Sequence, residues 1–191
     1  MGSVDEVLKS VGEPVTIIRT GGNVSTYLYI NPKGSFERSA PYERNCMMPT
    51  DSGVVSGDLI QHGSDYYLVV NLFEDRRVGE FFNYKARLFK CNATVAVKAY
   101  NSGTKAFADV KTGVPCLIID SNAYLMSDRG VTVPGYSGRD DVYYLYAQSG
   151  AGIDKNSILV DAASNHFRAT DNINAFFASG VVEVPVKLEV K

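Results

Sequence analysis

Two histidines, three cysteines and a scatter of carboxylates are the side chains of this 191-residue sequence with the means to do chemistry. His62 and His166 each lie beside a turn, and neither has a serine or cysteine in nucleophile-elbow context or a partner spaced to orient it, so both read as exposed turn histidines. Cys46, Cys91 and Cys116 are far apart, with no CxxC and no histidine at ligand spacing. Buried free thiols are expected, and neither a zinc site nor a disulfide framework is indicated. The densest carboxylates, Asp120, Asp128, Asp140 and Asp141, have neither EF-hand spacing nor the clustering of a two-metal centre, which leaves room only for a chance cation site. Gly130, Gly135, Gly138, Gly150 and Gly152 sit in tyrosine-rich sequence without a phosphate-binding pattern and read as turn glycines. No cofactor or metal is implied, and the chain reads as a non-enzyme.

The elements around these residues are β in character. Twelve Tyr, nine Phe, seventeen Gly and no Trp, within a composition that is 45% hydrophobic, favour pleated surfaces joined by tight turns and are enough to bury a core. A formal charge of −2 gives no global positive field for holding nucleic acid. No run of eighteen apolar residues occurs, and the start MGSVDEVLKS lacks the basic and apolar regions of an export signal. The expectation is a protein made and kept in cytoplasm with no membrane partner, where the sequons at Asn23 and Asn92 are chance matches.

Residues 1–12 predict a short helix. Ser3 and Glu6 have capping-box spacing, Val4, Val7, Leu8 and Val11 share a stripe, and Gly12 can end it. That stripe is either part of the core or a docking face. Pro14–Arg19 and Thr26–Ile30 predict strands around a turn, as do Leu59–Gln61 and Tyr66–Leu72 around His62–Asp65. Phe81–Cys91 alternates apolar positions as a strand does; Val78–Lys85 also fits a helical face, and its aromatic content favours strand.

Three short segments recur in the same order. Residues 14–19 match 115–120, 57 onward matches 156 onward, and 84–90 matches 185–191. The expected fold is therefore mainly β, with two similar small β-barrel or β-sandwich modules at 13–99 and 114–191, a linker at 100–113 and the N-terminal helix at 1–12.

Each module extends a loop carrying aromatic and arginine side chains, the residue types enriched at interface anchors. Phe36, Arg38, Tyr42 and Arg44 lie in the Asn31–Asn45 excursion, and Arg129, Tyr136 and Arg139 in its counterpart, so these seven are candidate subunit contacts. Lys85, Arg87 and Lys90 give the first module a basic bias. In a strand Lys85 and Arg87 share one side, a candidate DNA-channel face if repeated around a ring, or an ordinary solvated face.

The run GDLIQHGSDYYLVVNLFEDRR, followed by a basic strand ending FKCN, resembles a pattern found in small neck proteins of tailed bacteriophages, over residues 56–92 and more loosely over 156–191. Such proteins are head-closure or head–tail connector components. The resemblance implies a small barrel or sandwich assembled as a homo-oligomeric ring beneath the portal, closing the head after DNA packaging and presenting a platform for the tail. Its implied partners are copies of itself, portal or connector and tail proteins, and packaged DNA through a channel face. Its implied location is the virion, after synthesis in the host bacterial cytoplasm. This chain departs from the simplest pattern by being longer than a single barrel and carrying two copies. A tail-terminator or other tail protein is the alternative within the same class. A non-viral carbohydrate-binding or adhesion module is another, requiring aromatics clustered on one sheet face; the absence of Trp counts against it.

Overall fold

The computed structural model describes residues 4–19, 21–31, 42–77, 80–120, 142–170, 174–176 and 180–189. The chain divides into two compact units, Met1–Lys90 with Phe177–Val181, and Cys91–Phe176 with Val182–Lys191.

In the first unit, a helix α1 (Val4–Val11) precedes six strands, β1 (Glu13–Ile18), β2 (Val24–Ile30), β3 (Glu43–Met48), β4 (Leu59–His62), β5 (Asp65–Arg77) and β6 (Glu80–Lys90). They close into an antiparallel barrel in the order β1-β2-β3-β6-β5-β4. Alternation accounts for the closure. Val15 and Ile17 of β1, Leu28 of β2, Cys46 and Met48 of β3, Ile60 of β4, Val69 of β5, and Ala86 and Leu88 of β6 all turn inward to one core. A row on the opposite face, Leu59, Leu68 and Phe89 in register across β4, β5 and β6, is also buried. The stretch 80–90 is strand rather than helix, because Ala86 and Leu88 must both face a barrel interior with a period of two.

The second unit repeats this plan with β7 (Ala93–Asn101), β8 (Ala106–Asp120), β9 (Val142–Gln148), β10 (Ile158–Asp161), β11 (His166–Ala169) and β13 (Val181–Glu189); β12 (Asn174–Phe176) is an addition beside β13. Pairing of β11 with β13 closes this sheet too. Val95, Val97, Val114, Cys116, Leu145, Leu159, Phe167, Val184 and Val186 fill it. The circuit β7-β8-β9-β13-β11-β10 follows the same sequence of neighbours as the first, so β1 corresponds to β7, β2 to β8, β3 to β9, β4 to β10, β5 to β11 and β6 to β13.

Atomic detail at one turn recurs in the two units. Gly57 has φ +89 and Asn156 φ +70, the left-handed region in which asparagine is the most tolerant residue after glycine. The Gly57 N–H donates to the Val69 carbonyl at 2.7 Å, and the Asn156 N–H to the Ala169 carbonyl at 3.0 Å. The next residue is buried and polar in both: the Asp58 carboxylate accepts from the Val55 N–H at 2.8 Å, and the Ser157 hydroxyl oxygen from the Asp154 N–H at 2.9 Å.

This geometry corrects part of the expected alignment and domain limits. The match of 57 onward with 156 onward pairs equivalent residues. The match of 84–90 with 185–191 lies on equivalent strands but out of register: it sets Leu88 against Glu189, whereas the pairs Val69–Leu88 and Ala169–Val186 make Val186 the counterpart. The match of 14–19 with 115–120 sets β1 against β8, whose counterpart is β2. Short alternating runs resemble one another whichever strand they come from. Residues 100–113, expected as a linker, instead form the turn and flanks of the β7–β8 hairpin, and the second unit begins at Cys91 rather than 114.

The helix packs less of its stripe than a core element would. Leu8 is buried, while Val7 and Val11 are 52% and 55% exposed. Polar contacts do the rest: the Asp5 carboxylate accepts from the Thr50 N–H at 3.0 Å and from its hydroxyl, and Lys9 meets Asp51 at 2.6 Å. The Gly12 N–H closes the helix on the Leu8 carbonyl at 2.8 Å, and a Cβ at Gly12 would stand 2.5 Å from that oxygen. Ser3 lies outside the described residues.

Candidate functional site

Extended hairpins are the first candidate surface. In the first unit β4 pairs with β5 only at 65–68 and β3 with β6 only at 84–89, so among the described residues 71–77 of β5 run on past β4, and 75–77 with 80–83 continue as a two-stranded ribbon. In the second, β10 pairs with β7 at 95–98 and β9 with β8 at 117–120, which leaves 106–113 of β8 running on past β9 and 99–101 with 106–108 as a two-stranded ribbon. All of 106–113 is exposed. Phe73 stands out on the free length of β5, and Tyr100, Phe107 and Val110 on the second hairpin. Tyr100 and Phe107 meet edge to face at 5.5 Å, and the Arg168 guanidinium lies 5.8 Å from the Phe107 ring. The Lys111 ammonium donates to the Gly150 carbonyl at 3.0 Å.

The second is a cleft of about 260 Å³ on the outer face of the first barrel, lined by Pro14, Val15, Thr16, Ser25, Gln61 and Gly63. Ser25, Thr16 and Gln61 stand opposite one another on β2, β1 and β4, and Tyr66 of β5 continues the row beside Gln61. Tyr27, two residues on from Ser25 and opposite Pro14, is 44% exposed. Beside the cleft His62 and Glu13 meet at 2.5 Å.

The expected site residues fall as follows. Of the interface candidates, Tyr42 and Arg44 are half-buried and sit just before and within β3, so Glu43–Asn45 is strand rather than open loop; Arg44 Nη1 donates to the Glu43 carbonyl at 2.6 Å. Phe36, Arg38, Arg129, Tyr136 and Arg139 lie outside the described residues, as do Asp128, Asp140 and Asp141. Lys85 and Arg87 share the outer face of β6 as the alternation requires. Each member of the basic trio has an acidic partner: Lys85 meets Asp75 at 2.9 Å, Arg87 meets Glu43 at 3.8 Å and Lys90 meets Asp65 at 2.6 Å. The Asp65 bond holds the Lys90 ammonium above its ordinary pKa and its own carboxyl below.

No protein-family model, curated protein or solved structure matches this chain.

His62 closes β4 and His166 opens β11, so the two histidines flank corresponding hairpin turns in the two units. Burial pushes the Cys46 and Cys91 thiols up to about 12 and Cys116 higher still, which keeps all three protonated at neutral pH and poor as nucleophiles or metal ligands. Among the described residues no three His, Cys, Asp or Glu side chains come together as a metal site, and no helix is long and apolar enough to cross a membrane. Sequence reasoning missed the cleft. Its one signal was the polar phase of two strands, Thr16 between Val15 and Ile17, and Ser25, Tyr27 and Tyr29 on alternate positions.

Proposed function

We propose that this chain is a structural subunit of a tailed-phage neck, a head-closure or connector component that assembles as a homo-oligomeric ring joining portal and tail. The observation that carries the reading is the pair of closed barrels of identical circuit, each with one hairpin running beyond its barrel partners. Closed barrels have no free edges of their own, so the ribbons are the backbone available for pairing with a neighbour. They are also unlike each other: one joins β5 to β6, the other β7 to β8, which corresponds to the β1–β2 hairpin. Two different ribbons on one subunit suit a head-to-tail contact, the kind that generates rings. The resemblance of residues 56–92 to neck proteins supports the location.

Lys85 and Arg87 enter this reading as a charge-balanced face, and Lys90, in the opposite phase of β6, is likewise matched by an acid. A channel wall that lets DNA slide has reason to be balanced, because a strongly positive one would hold phosphates. Negative-stain imaging of the purified protein, alone and mixed with portal complexes, tests the assignment. Rings, or a new layer on the portal's tail-facing side, are expected; particles that neither self-associate nor decorate a portal contradict it.

A further inference from the structure

The cleft between β2, β1 and β4 is not needed for ring assembly, and its lining is chemically selective. Ser25, Thr16, Gln61 and Tyr66 form one cross-strand row of uncharged hydrogen-bonding side chains. Three adjacent strands place the first three over about 10 Å, the span of one or two pyranose rings. The row is unspent: the Gln61 amide N–H donates to the Gly63 carbonyl at 3.2 Å, its amide oxygen is left open, and the hydroxyls of Thr16 and Ser25 have no hydrogen-bond partner among the described residues. Tyr27 stands at the rim on the same face as Ser25, against Pro14, and offers a ring edge and face to apolar C–H groups.

We infer that this cleft is a binding site for a neutral saccharide. Three features select that class. No lysine or arginine stands in the row, which argues against phosphate or carboxylate ligands; nearby, Glu13 meets His62 and Asp65 pairs with Lys90. The backbone of β1 is paired on both sides by β2 and β4, so an extended peptide has no strand edge to join. What remains is hydroxyl and amide recognition beside an exposed aromatic ring, which matches a polyol with one apolar face. The 260 Å³ volume suits a single sugar unit. A site this small and open binds weakly alone and gains by repetition around an oligomer.

Amide shift perturbation of the full chain with glucose, galactose, mannose and N-acetylglucosamine as probes tests this directly. At least one sugar is expected to move the amides of residues 15–16, 25–27 and 61–63 in a saturable manner. Gln61→Ala and Tyr27→Ala, both on the surface and checked for unchanged far-UV circular dichroism, are expected each to weaken that binding about tenfold. Absence of binding by all four sugars, or affinity unchanged in either variant, overturns the inference. These results are independent of ring formation, so the saccharide site and the neck assignment stand or fall separately.

Discussion

Glu183 is half-buried, and its carboxylate accepts a hydrogen bond from the Tyr146 hydroxyl at 2.8 Å. Desolvation raises its pKa in the folded chain, with the Tyr146 bond opposing the shift. A group whose folded pKa lies above its unfolded value contributes stability at low pH and loses it as pH rises through the folded value. Glu183→Gln, which keeps an acceptor for Tyr146 without a charge, is therefore expected to raise the melting temperature relative to the parent at pH 8, with the difference vanishing near pH 4. Thermal unfolding at the two values checks this. The equivalent turn residues offer a second comparison. Asp58 accepts from Arg19 Nε at 2.8 Å and Nη2 at 2.5 Å as well as from Val55, whereas Ser157 has only its neutral bond to Asp154. Asp58→Ala should cost about 2 kcal/mol in denaturant unfolding, after allowance for the part-exposed arginine, and Ser157→Ala about 1 kcal/mol. That Cys46 and Cys116 are buried free thiols was legible in the sequence from their spacing and lack of partners, while Cys91 is half-buried. The importance of Asp58 was not legible, because its partner Arg19 is distant in sequence and only barrel closure brings the two together.

Several strands were legible because a half-buried barrel wall imposes a period of two, as in β1, while β4 and the start of β5 were legible as short apolar runs between turn residues, Leu59–Ile60 and Tyr67–Val70 being buried on both faces. The β7–β8 hairpin was misread as a linker because its ribbon, having no core to face, carries the Asn, Ser, Gly, Thr and Lys of solvated backbone. Its turn is nonetheless specified, since the Asn101 side chain accepts from the N–H groups of Gly103 and Thr104 and Lys105 takes φ +53. The helix is the reverse case: of an apolar stripe that reads as either core or docking face, mainly Leu8 is buried. Leu8→Ala should cost about 2–3 kcal/mol, while Val7→Ser should change stability by no more than about 0.5 kcal/mol, as equilibrium unfolding would reveal. Gly180 is a tighter constraint: it has φ +70, and a Cβ there would stand 2.7 Å from the Gly57 Cα. Gly180→Ala is expected to destabilise the first barrel markedly by the same measurement, because backbone must move to admit it.

One barrel plan recurs in the two units, and its physical meaning lies in what the two share and where they differ. They share the circuit, the inward rows and the left-handed turn at Gly57 and Asn156. They differ outside: the row Leu59, Leu68, Phe89 of the first barrel becomes Ile158, Arg168, Lys187 in the second, and the long hairpin moves to a different pair of strands. Interiors are held by packing, while outer faces are free to specialise, and specialised faces are what a head-to-tail assembly needs. The mass of the purified chain in solution, followed by light scattering or native mass spectrometry as concentration rises, tests that account most directly. A closed species of one fixed stoichiometry is predicted, lost when Phe107 and Val110 are both changed to Lys; a chain that remains monomeric at every concentration, with and without a portal complex, would contradict it.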